Sequence, residues 1–144
     1  MKALTMHQPW ASLIALGEKK IETRNWATYY RGRLAIHAAK IFHDDGWEFA
    51  AYEPCFSVLA SHGLKRDELP LGCVLAIVDL ESVVMTEYAS VSIVHPLSAQ
   101  ERAFGNFGPK RFAWEMKVLR RFTEPIPARG YQGLWDFDER SAGL

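Results

Sequence analysis

Cysteine is nearly absent: Cys55 and Cys73 are the only two in 144 residues. Both lie in apolar stretches, where a free thiol behaves as a small core residue, so they read as packing rather than as a redox pair. Neither has a cysteine or histidine two to four residues away. His7, His37, His43, His62 and His95 likewise show no ligand spacing, so neither a metal nor a cofactor is expected. No stretch approaches the ~18 consecutive apolar residues of a membrane span. The Met1–Pro9 segment lacks the apolar run of a signal peptide, which makes the cytoplasm the expected compartment. Net charge is also missing, with 17 basic residues against 17 acidic, so a uniformly basic coat for nucleic acid is excluded. No phosphate-cradling glycine loop, no Ser-His-Asp pattern in a recognisable context and no internal repeat occurs.

What is present is the composition of an ordinary globule, 49% hydrophobic and 24% charged, enough to bury a sizeable core. The length fits one domain, taken as residues 1–144. The zero charge hides an asymmetry. Residues 1–40 carry a net of +5, residues 41–101 a net of −8 and residues 102–144 a net of +3. If the two basic ends fold together, they form one positive face and leave the acidic middle elsewhere.

Periodicity predicts a mixed α+β chain. Ala3–Met6 reads as a strand, and Pro9 suits the first turn of a following helix. Trp10, Leu13, Ile14 and Gly17 recur at helical spacing, with Gly17 as the stop. Lys20–Arg24 and Gly32–Ala38 read as strands. Asp44 or Asp45 caps a helix to Ala51 whose apolar side is Trp47, Ala50 and Ala51. Pro54 interrupts it before a further turn or two through Phe56, Leu59 and Ala60. Gly72–Met85 carries the strongest strand signal, and its Cys73–Val78 run, apolar on both sides, belongs in the middle of a sheet or barrel. Phe112–Val118 alternates cleanly, Pro125–Pro127 is extended and Leu134–Phe137 reads as a closing strand.

Three clusters could carry chemistry. At Gly17–Trp26, Lys19, Lys20, Glu22 and Arg24 crowd a helix-to-strand junction. A lysine beside a glutamate can transfer protons once partly desolvated, and an arginine can hold a carbonyl or phosphate oxygen; a solvated edge strand laced with salt bridges fits as well. Strict alternation puts Lys20, Glu22 and Arg24 on one face, and Lys19 joins them only if the junction is not regular strand. The second cluster is Ile36–Lys40, where His37 and Lys40 end an apolar strand; a hydrogen-bonded core histidine is the competing account. The third is the aromatic–basic loop from Phe104 to Arg111, followed by Trp114 and Glu115, with Trp26, Tyr29, Tyr30 and Arg31 repeating the mixture. Rings for unstacked bases and cations for phosphates are what single-stranded RNA requires, although most of the tryptophans are expected to fill the core.

These residues resemble the ASCH family, named for activating signal cointegrator-1 homology. The resemblance runs through Gln8-Pro9-Trp10, Gly17-x-Lys19-x-x-Glu22-Thr23-Arg24, Ile36–Lys40, the Gly72–Asp79 strand, Phe112-Ala113-Trp114 and the ending Pro125–Trp135. It implies a PUA-like small β-barrel flanked by helices, with a cleft at their junction. It also implies association with RNA or modified nucleosides, and some members remove an acyl group from the N4 of cytidine while others are linked to RNA cleavage. By position Lys19 matches the amidohydrolases' lysine and Arg24 the family's arginine. Their catalytic threonine is replaced here by Glu22, a carboxylate in place of a hydroxyl, which changes the charge of the site and makes Glu22 the candidate base, and Glu115 is the candidate for their later glutamate. Candidate ligand contacts are Gln8, Trp10, Trp26 and Arg31, together with His37, Lys40, Lys110 and Trp114.

The resulting expectation is an RNA- or nucleotide-binding domain with a basic, aromatic cleft. The alternatives are a small hydrolase of modified nucleosides or RNA, and a protein–protein adaptor docking through the acidic middle.

Overall fold

The computed structural model describes residues 1–89 and 97–143; His95 lies outside the described residues. Six strands form one mixed sheet in the order β2-β5-β4-β3-β1-β6, curled into a half-barrel flanked by helices. In chain order the strands are β1 Lys2–Met6, β2 Ile21–Arg24, β3 Gly32–Ala38, β4 Cys73–Met85, β5 Phe112–Pro127 and β6 Leu134–Asp136. The helices are α1 Trp10–Ala15, α2 Asp44–Ala51, α3 Cys55–Ser61 and α4 Ala99–Phe104. β1 runs parallel to β3, and every other pairing is antiparallel.

The doubly apolar run of β4 sits between β3 and β5 and packs on both faces. One face joins Leu75, Val78 and Leu80 to Leu4, Met6, Leu34, Ile36, Trp114 and the inner side of α1. On the other, Val74 and Ile77 meet Ala3, Ala35, Trp135 and Phe137. A separate layer is helical: Leu13 of α1, Ala50 of α2, Cys55 and Leu59 of α3, and Phe104 of α4. Each fully buried aliphatic side chain contributes about 1.5–3 kcal/mol.

Two expectations are corrected. The inner side of α2 is Gly46, Phe49 and Ala50, whereas Trp47 lies at the surface under the Arg66 guanidinium, 4.0 Å from its ring. The reason is helical spacing: Gly46 and Ala50, four apart, share the inner face, and at Gly46 a side chain would run into the Gln8 carbonyl and the Trp10 ring. β5 is also one strand of 16 residues rather than two pieces. β2 covers its edge only as far as Met116, so Pro125 and Pro127 fall where the outer edge needs no donors.

His37 projects into a hydrogen-bonded niche away from the helices. Its Nε2 lies 2.7 Å from the Ala128 carbonyl and its Nδ1 3.1 Å from Thr5 Oγ1, which also accepts from Trp135 Nε1 at 3.0 Å. Burial pulls its pKa below the ordinary 6.5, only partly opposed by the Ala128 carbonyl. His7, at the surface, is lowered as well, first by desolvation and then by His43 and Arg24. The unfolded chain therefore takes up protons before the folded one does, and stability falls as pH drops below about 6.5. Urea midpoints at a series of pH values check this, and a rise in stability on acidification through that window contradicts it.

Candidate functional site

The site begins with the way α1 ends. Gly17 has φ +76°, Glu18 N–H donates to the Leu13 carbonyl at 3.0 Å and Gly17 N–H to that of Ile14 at 2.9 Å. This left-handed cap reverses the chain and is the reason the junction is not regular strand. Lys19 is thrown inward while Lys20 stays exposed. The Lys19 side chain is fully buried, and its Nζ donates to the carbonyls of Ile21 at 2.5 Å and Phe104 at 2.9 Å. Glu22 Oε1 stands 4.0 Å from that ammonium, and Glu22 Oε2 3.3 Å from Arg24 Nη2. Desolvation holds the Lys19 pKa below the usual lysine value, against the pull of Glu22 and Glu101.

α4 closes the junction from the other side. Ser98 caps it by accepting from Glu101 N–H at 3.0 Å, and the buried Glu101 carboxylate accepts the backbone N–H groups of Lys20 at 2.8 Å and Ile21 at 3.3 Å. Arg24 reaches across to donate to the Thr5 carbonyl at 2.8 Å, tying β2 to β1, which are not neighbours in the sheet.

Between these elements lies an open cavity of about 650 Å³. β2 contributes Glu22, Thr23 and Arg24, followed by Asn25 and Trp26. The β1–α1 junction adds Thr5, His7 and Trp10, and α2 adds Asp45 and Phe49. The α4–β5 segment closes it with Ala103–Asn106 and Arg111. Trp26 rests edge-on against buried Trp114 (centroids 4.8 Å apart), whose Nε1 donates to the Trp26 carbonyl at 3.2 Å. Trp10 packs on Phe49, with centroids 5.2 Å apart.

Of the candidates read from the sequence, Trp10, Glu22, Arg24 and Trp26 meet at this cavity, with Lys19 and Trp114 immediately behind its wall. The others lie elsewhere. Gln8 spends its amide internally on Ser12 and the Pro70 carbonyl, at 2.8 Å each. Arg31 folds back onto the Thr28 and Tyr30 carbonyls of its own loop. His37 occupies the niche beside Trp135, and Lys40 is exposed next to Gly72. Lys110 is exposed at a positive-φ turn, and Glu115, which accepts from Ser82 Oγ at 3.4 Å, faces the opposite side of β5 from Trp114.

The cavity also includes His7, Asp45 and Phe49, which the sequence reading did not single out, and Asn25, Asn106 and Arg111, which lay inside its clusters but were not named as individual ligand contacts. Glu101 was missed too, although Ser98-x-x-Glu101 is the signature of a helix start and would have revealed α4. Asp45 and Phe49 stand one helical turn apart, but only tertiary packing brings α2 to β2. Among the described residues, no group of three or more His, Cys, Asp or Glu could hold a metal ion. No helix among them is long and apolar enough to cross a membrane.

Comparison with known proteins places this arrangement. A sequence profile of the ASCH domain matches residues 4–126. The chain belongs to the ASCH family. It is 40% identical over 138 residues to activating signal cointegrator 1 of Mus musculus, and 38% identical to that of Homo sapiens, each match covering 95% of this chain. The chain spans only 22% of the length of those relatives. Crystal structures of two mutants of the ASCH protein from Zymomonas mobilis superpose with TM-scores of 0.54 and 0.56 at 14% identity. They cover 99% of this chain and 93% and 91% of theirs, and share with this ASCH chain its half-barrel fold.

Proposed function

We propose that this ASCH domain binds RNA through one nucleotide unit seated in the cavity between the helices and the open side of the half-barrel. The supporting observation is the convergence at one hollow of Arg24 and Arg111, far apart in sequence, with the rings of Trp10, Trp26 and Phe49. An unstacked base against an aromatic face is worth ~1–3 kcal/mol, and arginine matches phosphate geometry. Glu22 and Asp45 balance much of the cationic charge. Affinity therefore rests on stacking and a few phosphate contacts rather than on a broad basic surface.

Each neutralised phosphate of a single strand adds about −0.7 to the log–log salt slope, so one to two contacts predict a roughly two- to tenfold loss of affinity between ~50 and ~200 mM salt. Fluorescence anisotropy with short labelled oligoribonucleotides measures this. A flat salt response, or no binding at low salt, rejects the proposal.

A second reading, hydrolysis of an acylated nucleobase, draws on Glu22 lining the cavity 4.0 Å from buried Lys19. Glu22 would activate water, and Arg24 would stabilise the developing oxyanion. Ultraviolet assays with N4-acylated cytidines test it, and activity that survives replacement of both Lys19 and Glu22 by alanine rejects that assignment.

A further inference from the structure

The two arginines of the cavity are not equivalent. Arg24 is already compensated, with its Nη2 3.3 Å from Glu22 Oε2 and donating to the Thr5 carbonyl at 2.8 Å. Arg111 makes no ion pair with a carboxylate among the described residues. Its Nη2 donates to the Thr23 carbonyl at 3.0 Å, and its Nε meets no acceptor. The backbone behind it is pinned, since the Arg111 carbonyl accepts from Thr86 N–H at 3.0 Å and from Thr86 Oγ1 at 3.3 Å. A half-buried guanidinium held from behind, bonded to one backbone oxygen and matched by no carboxylate, keeps its charge for whatever enters the hollow.

The surroundings point to the same kind of ligand. Asn106 lies on the same wall, and its Oδ1 already accepts from Gly108 N–H at 3.0 Å, which leaves its amide donors. Its backbone N–H is taken by Thr23 Oγ1 at 3.2 Å, so this wall is held in place by bonds within itself. The carboxylates of the cavity stand apart from this wall in the chain, Glu22 bonded to Arg24 and Asp45 on α2 accepting from Gly46 N–H. A planar fork of donors beside further N–H groups suits a tetrahedral oxyanion with several acceptor oxygens.

We propose that Arg111 is the phosphate anchor of the cavity, while Arg24 is a positioning residue that fixes the Glu22 carboxylate and the β2–β1 opening. This rests on the nucleotide-binding reading and adds to it a division of labour: one wall for phosphate, the aromatic wall for the base.

The test compares ribonucleosides with the corresponding ribonucleoside 3′,5′-bisphosphates by titration calorimetry. Wild-type protein is expected to prefer the bisphosphate by about tenfold or more, as a charge-assisted bidentate contact provides. Arg111→Gln removes that preference, bringing the bisphosphate-to-nucleoside affinity ratio close to one, whereas Arg24→Gln weakens both ligands alike and keeps the ratio. Arg111→Lys retains the charge without the fork and is expected to give an intermediate ratio, which keeps the test decisive if Arg111→Gln does not fold. A preference that persists in Arg111→Gln, or a wild-type ratio in Arg111→Lys, overturns the assignment while leaving the cavity as the binding site. So does a preference abolished by Arg24→Gln. Wild-type protein that binds neither nucleosides nor bisphosphates overturns the cavity reading itself, and the assignment with it.

Discussion

Lys19→Met is expected to lower stability by about 3 kcal/mol, a loss readable as a shifted urea midpoint with an unchanged slope. Methionine fills much of the same volume but donates nothing. The Ile21 and Phe104 carbonyls, now 2.5 and 2.9 Å from the ammonium, would be left without that donor. Each unsatisfied buried group costs about 1–3 kcal/mol. Relief from burying an ammonium offsets part of the sum, but breaking a buried charged network from one side is normally a net loss. The Phe104 carbonyl belongs to the end of α4, where a cation is also favoured by the partial negative charge of the helix terminus. The loss should therefore concentrate on the docking of α4 to β2. A change within about 0.5 kcal/mol would show that Lys19 does not hold the two together.

Gly46→Ala is the second large effect. A Cβ built at Gly46 would stand 2.1 Å from the Gln8 carbonyl oxygen and 3.2 Å from Trp10 Cζ3. The first of these is backbone, in the turn whose Gln8 side chain is itself locked onto Ser12 and Pro70. Neither side can give cheaply, so α2 must move outward. Overpacking of this kind costs about 1–3 kcal/mol, and the upper end is expected where the obstacle is a carbonyl. The displacement has a functional consequence as well, because α2 carries Asp45 and Phe49 into the cavity. Thermal unfolding and oligoribonucleotide affinity should therefore fall together. A variant that melts like the wild type means that α2 is not seated on the Gln8 turn.

The parts of the fold written in local periodicity were legible from the sequence. β4 announced itself through apolar residues on both faces, and β2, β3 and the start of β5 through alternation, because a strand's period is imposed by its own neighbours. The crowding of Lys19, Lys20, Glu22 and Arg24 at one junction was legible for the same reason, but strict alternation pointed to Lys20, and only the left-handed cap at Gly17 brings Lys19 beside Glu22 instead. Which of two adjacent cations faces the hollow was not legible. Lys110 and Arg111 are equivalent in composition, but the turn at Lys110 with φ 60° leaves its side chain exposed while Arg111 lines the cavity. The two walls supplied by α2 and α4 depend on contacts between segments far apart in the chain, such as Lys19 with Phe104 and Gly46 with Gln8. Gln8 and His37, polar residues inside family-like motifs, are occupied with internal hydrogen bonds, which for His37 is the competing account the sequence already offered.

The most direct test of the central claim is to map, by amide and indole chemical-shift changes, where a short oligoribonucleotide touches the 15N-labelled protein. The account predicts that perturbations cluster at Asn25, Trp26, Gly105, Asn106 and Arg111, including the indole signals of Trp10 and Trp26. Shifts confined to the exposed Arg120 and Arg121 of β5, with the cavity signals unmoved, would contradict it.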